Sequence, residues 1–252
     1  MNLKSHLQTL TLVTLTAVTL ALPSHSALGA EAGGAQGQDE FFDFDAASKD
    51  SGTPTISDPL EKLNRATFVF NDKAYRYVMK PVAKGLRVFP EPVRTGFSNF
   101  FSNLGAPVSA ISALLQGDPR NAGTELGRFV LNTTVGLLGF LDPATDAGLV
   151  QDEEDLGQTM ARWGVGHGFY LVVPLYGSSS LRDFTGTLAT GAINPLFQNL
   201  DTGEVIGITA ASAEVSLSLD KDTYEAFYDG AIDPYVFFRS AWVQNRAGKV
   251  KQ

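Results

Sequence analysis

The sequence contains no cysteine. That absence excludes disulfides, thiolate metal sites, cysteine nucleophiles and lipid modification of a cysteine side chain. Histidine is nearly missing too. His6 and His25 lie in the N-terminal segment, which leaves His167 for the rest of the chain. Histidine-cluster metal sites are thereby excluded, and a serine triad would have to use His167 as its base. Positive charge is scarce, with 19 Lys and Arg against 27 Asp and Glu, which argues against a nucleic-acid partner. The common chemical motifs are absent as well. Gly177-Ser178-Ser179-Ser180-Leu181 lacks the closing glycine of a nucleophile elbow. No H-E-x-x-H and no phosphate-loop lysine occurs. Gly164, Gly166 and Gly168 precede an apolar run, whereas a dinucleotide fold needs its strand before the glycines. Asp220-Lys221-Asp222 fails as a calcium loop, with Glu225 at the turn-glycine position and Ala231 at the bidentate position. No catalytic residue, metal site or cofactor is expected.

What is present is apolar. Of 252 residues 44% are hydrophobic, and Phe outnumbers Tyr by 17 to 7. Lys4 followed by the apolar run Leu10–Leu22 and small residues around Ala27–Ala32 reads as a secretory signal peptide over 1–29. The run is too short for a membrane span of roughly 20 residues. Residues 30–57, rich in Gly, Ala, Ser, Thr and Asp, read as a flexible linker with one aromatic and acidic island, Phe41–Asp45. The folded domain should start at Asp58-Pro59-Leu60-Glu61, with an N-cap acid, Pro in the first helical position and Glu at the third. That helix should end at Lys80, because Pro81 cannot continue it.

Two later segments are less ordinary. Ala106–Gln116 is uncharged and built of small residues. Thr124–Leu141 carries one charge after Glu125, that of Arg128. A helix apolar on nearly all sides is either deeply buried or faces lipid, and the pattern leaves both open. Neither segment reaches the roughly 18 uncharged residues of a spanning helix. Further helices are expected over Leu181–Ala192, Ala211–Asp229 and Asp233–Asn245, with strands at Tyr170–Val173 and Glu204–Thr209. The most distinctive stretch is Leu156–Asp183, where Gly164, Gly166 and Gly168 alternate with Trp163, Val165, His167 and Phe169. Glycine at every second position lets other groups approach closely, and the aromatic content points to a shaped apolar lining.

These residues carry a resemblance. Asp58-Pro59-Leu60-Glu61, Asn64-Arg65, Phe70-Asn71 and Pro81-Val82-Ala83 come first. Ser98-Asn99-Phe100, Asn103-Leu104, Gln116-Gly117-Asp118 and Arg128-Phe129 follow, then Leu131–Thr134, Gly139-Phe140 and Asp142. Leu156-Gly157-Gln158-Thr159, Trp163–Gly166, Leu175-Tyr176-Gly177, Arg182-Asp183 and Asp233-Pro234-Tyr235 complete the order. Together they resemble the VacJ/MlaA family over about 58–246, leaving 247–252 as a C-terminal tail. The resemblance implies a mainly α, single ring-like helical domain partly immersed in one leaflet of the outer membrane, on the periplasmic side. It implies removal of phospholipids from the outer leaflet and their transfer to a periplasmic MlaC-like lipid carrier, with a trimeric outer-membrane porin as support. On that reading Phe129, Val130, Leu137, Leu138, Phe140, Gly164, Gly166, Phe169 and Tyr170 line a lipid passage. Arg128 and Asn132 serve the head group, and Phe70 and Asn71 set the open or closed state. Simple packing between helices accounts for each of them equally well. The family's lipobox cysteine has no counterpart here, where Ala27-Leu28-Gly29-Ala30 stands. The alternative is a soluble periplasmic protein binding a lipid or other amphiphile.

Overall fold

The computed structural model describes residues 54–251. The expected signal peptide and most of the expected linker lie outside the described residues. The linker's last residues belong to the fold: Tyr170 N donates to Ser57 O at 2.8 Å, and Ile56 packs on the core. Helix α1 spans Glu61–Ala74. Its cap is Leu60 rather than Asp58. The Asp58 carboxylate instead accepts hydrogen bonds from Asn64 at 2.8 Å and from Tyr235 and Arg239, far along the chain. Nor does Pro81 stop the chain. A π turn over Tyr75–Met79 leads directly into α2, Lys80–Leu86. In the π turn the Lys80 N–H bonds back to Tyr75 O, so the turn is wider. Pro81 then falls in the first turn of α2, where its missing N–H needs no partner.

Ala106–Gln116 is the C-terminal half of a longer helix, α3, Glu91–Leu115, which accommodates Pro107 in its interior. Helix α4, Pro119–Thr134, packs along α3 and is capped by Asp118, which accepts from Asn121 N at 2.9 Å. The expected helix to Leu141 therefore ends at Thr134. Short helices α5, Pro143–Asp146, and α6, Leu156–Arg162, follow. Strand β1, Tyr170–Val173, falls where expected and pairs antiparallel with β2, Gly177–Ser180, placing Tyr170 opposite Ser180. Helix α7 spans Leu181–Ile193 and crosses α6 at Gly186 and Gly157.

Glu204–Thr209 is not a strand. It lies in α8, Thr202–Leu219, which a capping box between Asp201 and Glu204 starts. The single helix expected over Ala211–Asp229 is divided by Asp220–Asp222, Asp222 being left-handed, so α9 spans Thr223–Gly230. The last helix, α10, Pro234–Lys251, continues past Arg246, the expected start of a tail.

Two kinds of interior hold this mainly α fold together. One is aromatic: Tyr170, Val172 and Tyr235 are buried beneath Phe68, Val236 and Trp242, and the Tyr170 ring meets Tyr235 and Trp242 edge-on near 6 Å. The other is lined by small residues, with Ala106, Ala110, Ala113, Ala122, Ala144 and Ala213 buried between helices. Larger apolar side chains of α3, α4 and the segment after α4 point outward. Leu114, Leu126, Val130, Val135, Leu137, Leu138 and Leu141 are all exposed, Leu137 by 68%. No helix among the described residues is long and apolar enough to cross a membrane.

Helix α8 holds an unusual acid. Glu214 Oε2 is buried without a hydrogen-bond partner among the described residues, and desolvation pushes its pKa up to about 7. A carboxyl raised in the folded state costs nothing at low pH, where both states are protonated. It weakens the fold as pH climbs from the ordinary carboxylate range through 7. Glu214→Gln is therefore expected to raise the melting temperature at pH 8 and leave it unchanged at pH 4. Equal melting of the two proteins at pH 8 would refute this.

Candidate functional site

The segment 135–142 leaves α4 through a turn that few sequences adopt. Leu137 and Leu138 both have positive φ, 54° and 62°, and Gly139 follows at 96°. Each left-handed leucine costs about 1–2 kcal/mol, so the surroundings must impose the shape. They do. Gly139 N donates to Asn132 O and Leu141 N to Gly136 O, both at 2.8 Å. From α3, Asn103 Nδ2 donates to Thr133 Oγ1 at 2.9 Å and to Leu138 O at 3.4 Å. The result is a strained, exposed apolar tip of Leu137 and Leu138, with Phe140 turned back onto α3.

Between this turn and the first half of α3 lies an open cleft of about 500 Å³, lined by Glu91, Pro92, Thr95, Gly96, Asn99, Phe140, Leu141 and Asp142. Beneath it, sharing Asn99 and Asp142, is a polar cavity of about 20 Å³. Its other walls include Ser102, Asn103, Glu125, Arg128, Asn132 and Gln151. Arg128 meets Asp142 with two bonds of 3.1 and 3.0 Å and also donates to Thr145 and Leu149. Asn132 donates to Asp142 at 2.9 Å and accepts from Ala144 N at 3.0 Å. Burial alone would raise the Asp142 pKa. Hydrogen bonds from Thr145, Asn132 and Arg128 outweigh it and hold the carboxylate below its ordinary value. Glu125 goes the other way: desolvation raises it, only partly countered by Asp152 N and Arg128.

Phe140 lines the cleft and stacks edge-on against Phe97 at 5.4 Å. Val130, Leu137 and Leu138 are exposed nearby rather than inside it, and Phe129 is half-buried on α4. Arg128 and Asn132 do reach the polar cavity, but their hydrogen bonds are spent on Asp142 and its helix. Tyr170 is a core residue, wholly buried, its hydroxyl donating to Ser178 at 2.7 Å; Phe169 beside it pairs with Ser57. Nothing stands within 4 Å of a Cβ placed on Gly164 or Gly166, so the close approach expected at these glycines does not occur. Gly166→Val should accordingly leave melting near wild type, and a marked fall in the melting temperature would show a close contact at this glycine.

Phe70 is 52% exposed on α1. Asn71, two turns after Asn64, is a bracket. Its Nδ2 donates to Val173 O at 2.9 Å and its Oδ1 accepts from Leu175 N at 2.7 Å. Asn64 holds Tyr170 O and Val172 N in the same manner. The two amides thus bind the edge of β1 to α1, a role that side-chain periodicity does not reveal. In the sequence Asp142 reads as a helix terminator and Glu125 carries no evident role, although a lone acid within an apolar helix is a signal that marks it. Similarly, Arg182 and Asp183 form a buried ionic cluster in which Arg246 joins Asp183 at 2.8 Å and Asp155 at 2.6 Å.

Gly96 shapes the cleft floor. A Cβ there would stand 2.7 Å from Phe140 Cδ1, so the ring would have to swing toward the opening. Gly96→Ala also gains about 1 kcal/mol of helix propensity, which offsets the displacement. The expected outcome is near-normal melting with the Phe140 ring displaced toward the opening; an unmoved ring in the structure of Gly96→Ala would refute this.

A family model described as MlaA lipoprotein matches residues 56–249. An Escherichia coli K12 protein named intermembrane phospholipid transport system lipoprotein MlaA is 37% identical over 195 residues, covering 75% of this chain and 76% of its own. The Haemophilus influenzae protein of the same name is 33% identical over 202 residues, covering 77% and 79%. An uncharacterised protein of Rickettsia conorii is 34% identical over 218 residues, covering 84% and 85%. A solved chain, described under the structural basis for maintenance of bacterial outer membrane lipid asymmetry, aligns with a TM-score of 0.66 at 34% identity. It is covered to 99%, and this chain to 77%. With the family match spanning the whole folded region and these relatives aligned over three quarters of the sequence, the chain belongs to the MlaA family.

Proposed function

We propose that this protein maintains outer-membrane lipid asymmetry by removing phospholipids from the outer leaflet and passing them to a periplasmic lipid carrier of the MlaC type. The observation behind this reading is the α3–α4 region, where Ala106, Ala110, Ala113 and Ala122 are buried while Leu114, Leu126, Val130, Leu137 and Leu138 are exposed. Small residues let helices pack closely where lipid rather than water surrounds them. Exposed leucines around the 135–142 turn suit immersion in one leaflet, for which no spanning helix is required. Acyl chains cost about 0.8 kcal/mol per exposed CH₂ in water, so a continuous apolar surface lowers the barrier to leaving the bilayer. The cleft, within the usual range for a small-ligand site, takes the polar end. Direction then comes from the acceptor's affinity. A trimeric porin would cover part of the remaining apolar surface. The relatives are named lipoproteins. The exposed apolar side chains of this chain support membrane association. Washing membranes with carbonate tests the proposal. Retention in the outer-membrane fraction is expected, and release would favour a soluble amphiphile carrier.

A further inference from the structure

The polar cavity beneath the cleft contains a side chain that the transport reading leaves unused. Glu125 is wholly buried. Its Oε1 accepts from Asp152 N at 3.0 Å, while Oε2 has no hydrogen-bond partner among the described residues. Leaving a buried carboxylate oxygen unsatisfied is costly, and such a group calls for an explanation. Oε2 belongs to a residue that lines a cavity of about 20 Å³, room for one water-sized group. The other charges on that wall cancel, because Arg128 is tied to Asp142. An ionised Glu125 therefore leaves the cavity with a net negative charge, and Asn99, Ser102 and Gln151 add polar atoms around it. The shared walls at Asn99 and Asp142 place the cavity next to the cleft.

We infer that this cavity is a subsite for a primary ammonium group, seated on Glu125 Oε2 and supplied by an aminophospholipid head group lying in the cleft. The inference rests on the transport reading and adds a substrate class to it. Size and hydrogen bonding set the selectivity. An –NH₃⁺ group is compact and offers three donors to the carboxylate and its polar neighbours. A trimethylammonium group has no N–H and is too large for a space of one water. A glycerol head group brings no positive charge.

The test uses the purified full chain in detergent and measures extraction of lipid from vesicles containing phosphatidylethanolamine, phosphatidylcholine or phosphatidylglycerol. The wild type should take phosphatidylethanolamine about tenfold better than the other two, the usual size of one charge-assisted hydrogen bond. Glu125→Gln keeps the shape and removes the charge, so this preference should vanish while phosphatidylglycerol extraction is unchanged. Ala106→Val, which fills the same cavity from α3, should do likewise and covers the case in which Glu125→Gln does not fold. Free ethanolamine should compete with phosphatidylethanolamine, whereas potassium chloride at equal concentration should not. Equal extraction of all three lipids, a preference that survives Glu125→Gln, or equal competition by potassium would overturn the subsite and leave the transport reading standing. No extraction of any lipid by the wild type would overturn the transport reading itself.

Discussion

Gly186→Ala is expected to destabilise the protein by roughly 3 kcal/mol, the upper end of what overpacking costs. At Gly186 the backbones of α6 and α7 touch. A methyl group there would stand 2.7 Å from Gly157 Cα and closer still to its nitrogen. Both neighbours are main chain, so no rotamer can relieve the contact and the helices must separate. Separation reaches further than the methyl group, because the ionic cluster closes over the same crossing. A Cβ on Gly157 would meet Asp183 Oδ1 at 2.5 Å and Arg246 Nη2 at 2.6 Å. Loosening a buried ion pair while leaving its charges buried is worth about 3–5 kcal/mol, against about 1 kcal/mol gained in helix propensity. For a domain of this size the melting temperature should fall by about 6–12 °C. A Tm within about 2 °C of wild type would show that α6 and α7 can part freely.

The second large effect is expected at Gly139. Its φ of 96° is one that L side chains rarely adopt, and an added Cβ would stand 2.5 Å from Asn103 Cβ. Gly139→Ala meets both obstacles at once: backbone strain of about 1–2 kcal/mol and a collision that pushes away Asn103. Asn103 is the side chain that ties Thr133 and Leu138 O to α3, so the turn loses its support where it positions Phe140 and Leu141. Roughly 3 kcal/mol of stability should be lost. Outer-leaflet phospholipid should rise to the level of cells lacking the protein. Normal lipid asymmetry in folded Gly139→Ala would separate the strained turn from transport.

Several elements could be read from residue pattern alone, and their success has a local cause. Strand β1 is a short apolar run closed by Pro174, and α7 follows Ser180, whose hydroxyl accepts from Asp183 N at 3.1 Å. Signals of this kind act within one turn. The failures involve partners distant in sequence. Asp58 has every mark of a cap, yet Tyr235 and Arg239 claim its carboxylate. Pro81 stops an ordinary helix but not one that widens into a π turn just before it. Thr124–Leu141 looks like one apolar helix because nothing in its composition reports that Asn103 will hold Leu138 in a left-handed conformation.

The site was only partly legible for the same reason. Phe140 borders the cleft, and Arg128 and Asn132 its neighbouring polar cavity. Aromatic and glycine content marks Tyr170, Gly164 and Gly166 in the sequence, whereas the structure buries Tyr170 in the core and leaves the two glycines facing open space. Gly96, Asn99 and Glu125 stand on faces of α3 and α4 that meet only after the helices pack.

On the proposed function, the cleft and the apolar surface around it keep phospholipid out of the outer leaflet. The most direct measurement is outer-leaflet phospholipid, read by lipid A palmitoylation, in cells lacking the protein and in cells given back this cysteine-free chain. A rise in the deletion, reversed by the wild-type chain and not by Gly139→Ala, is the predicted result. An unchanged outer leaflet in the deletion would contradict the account.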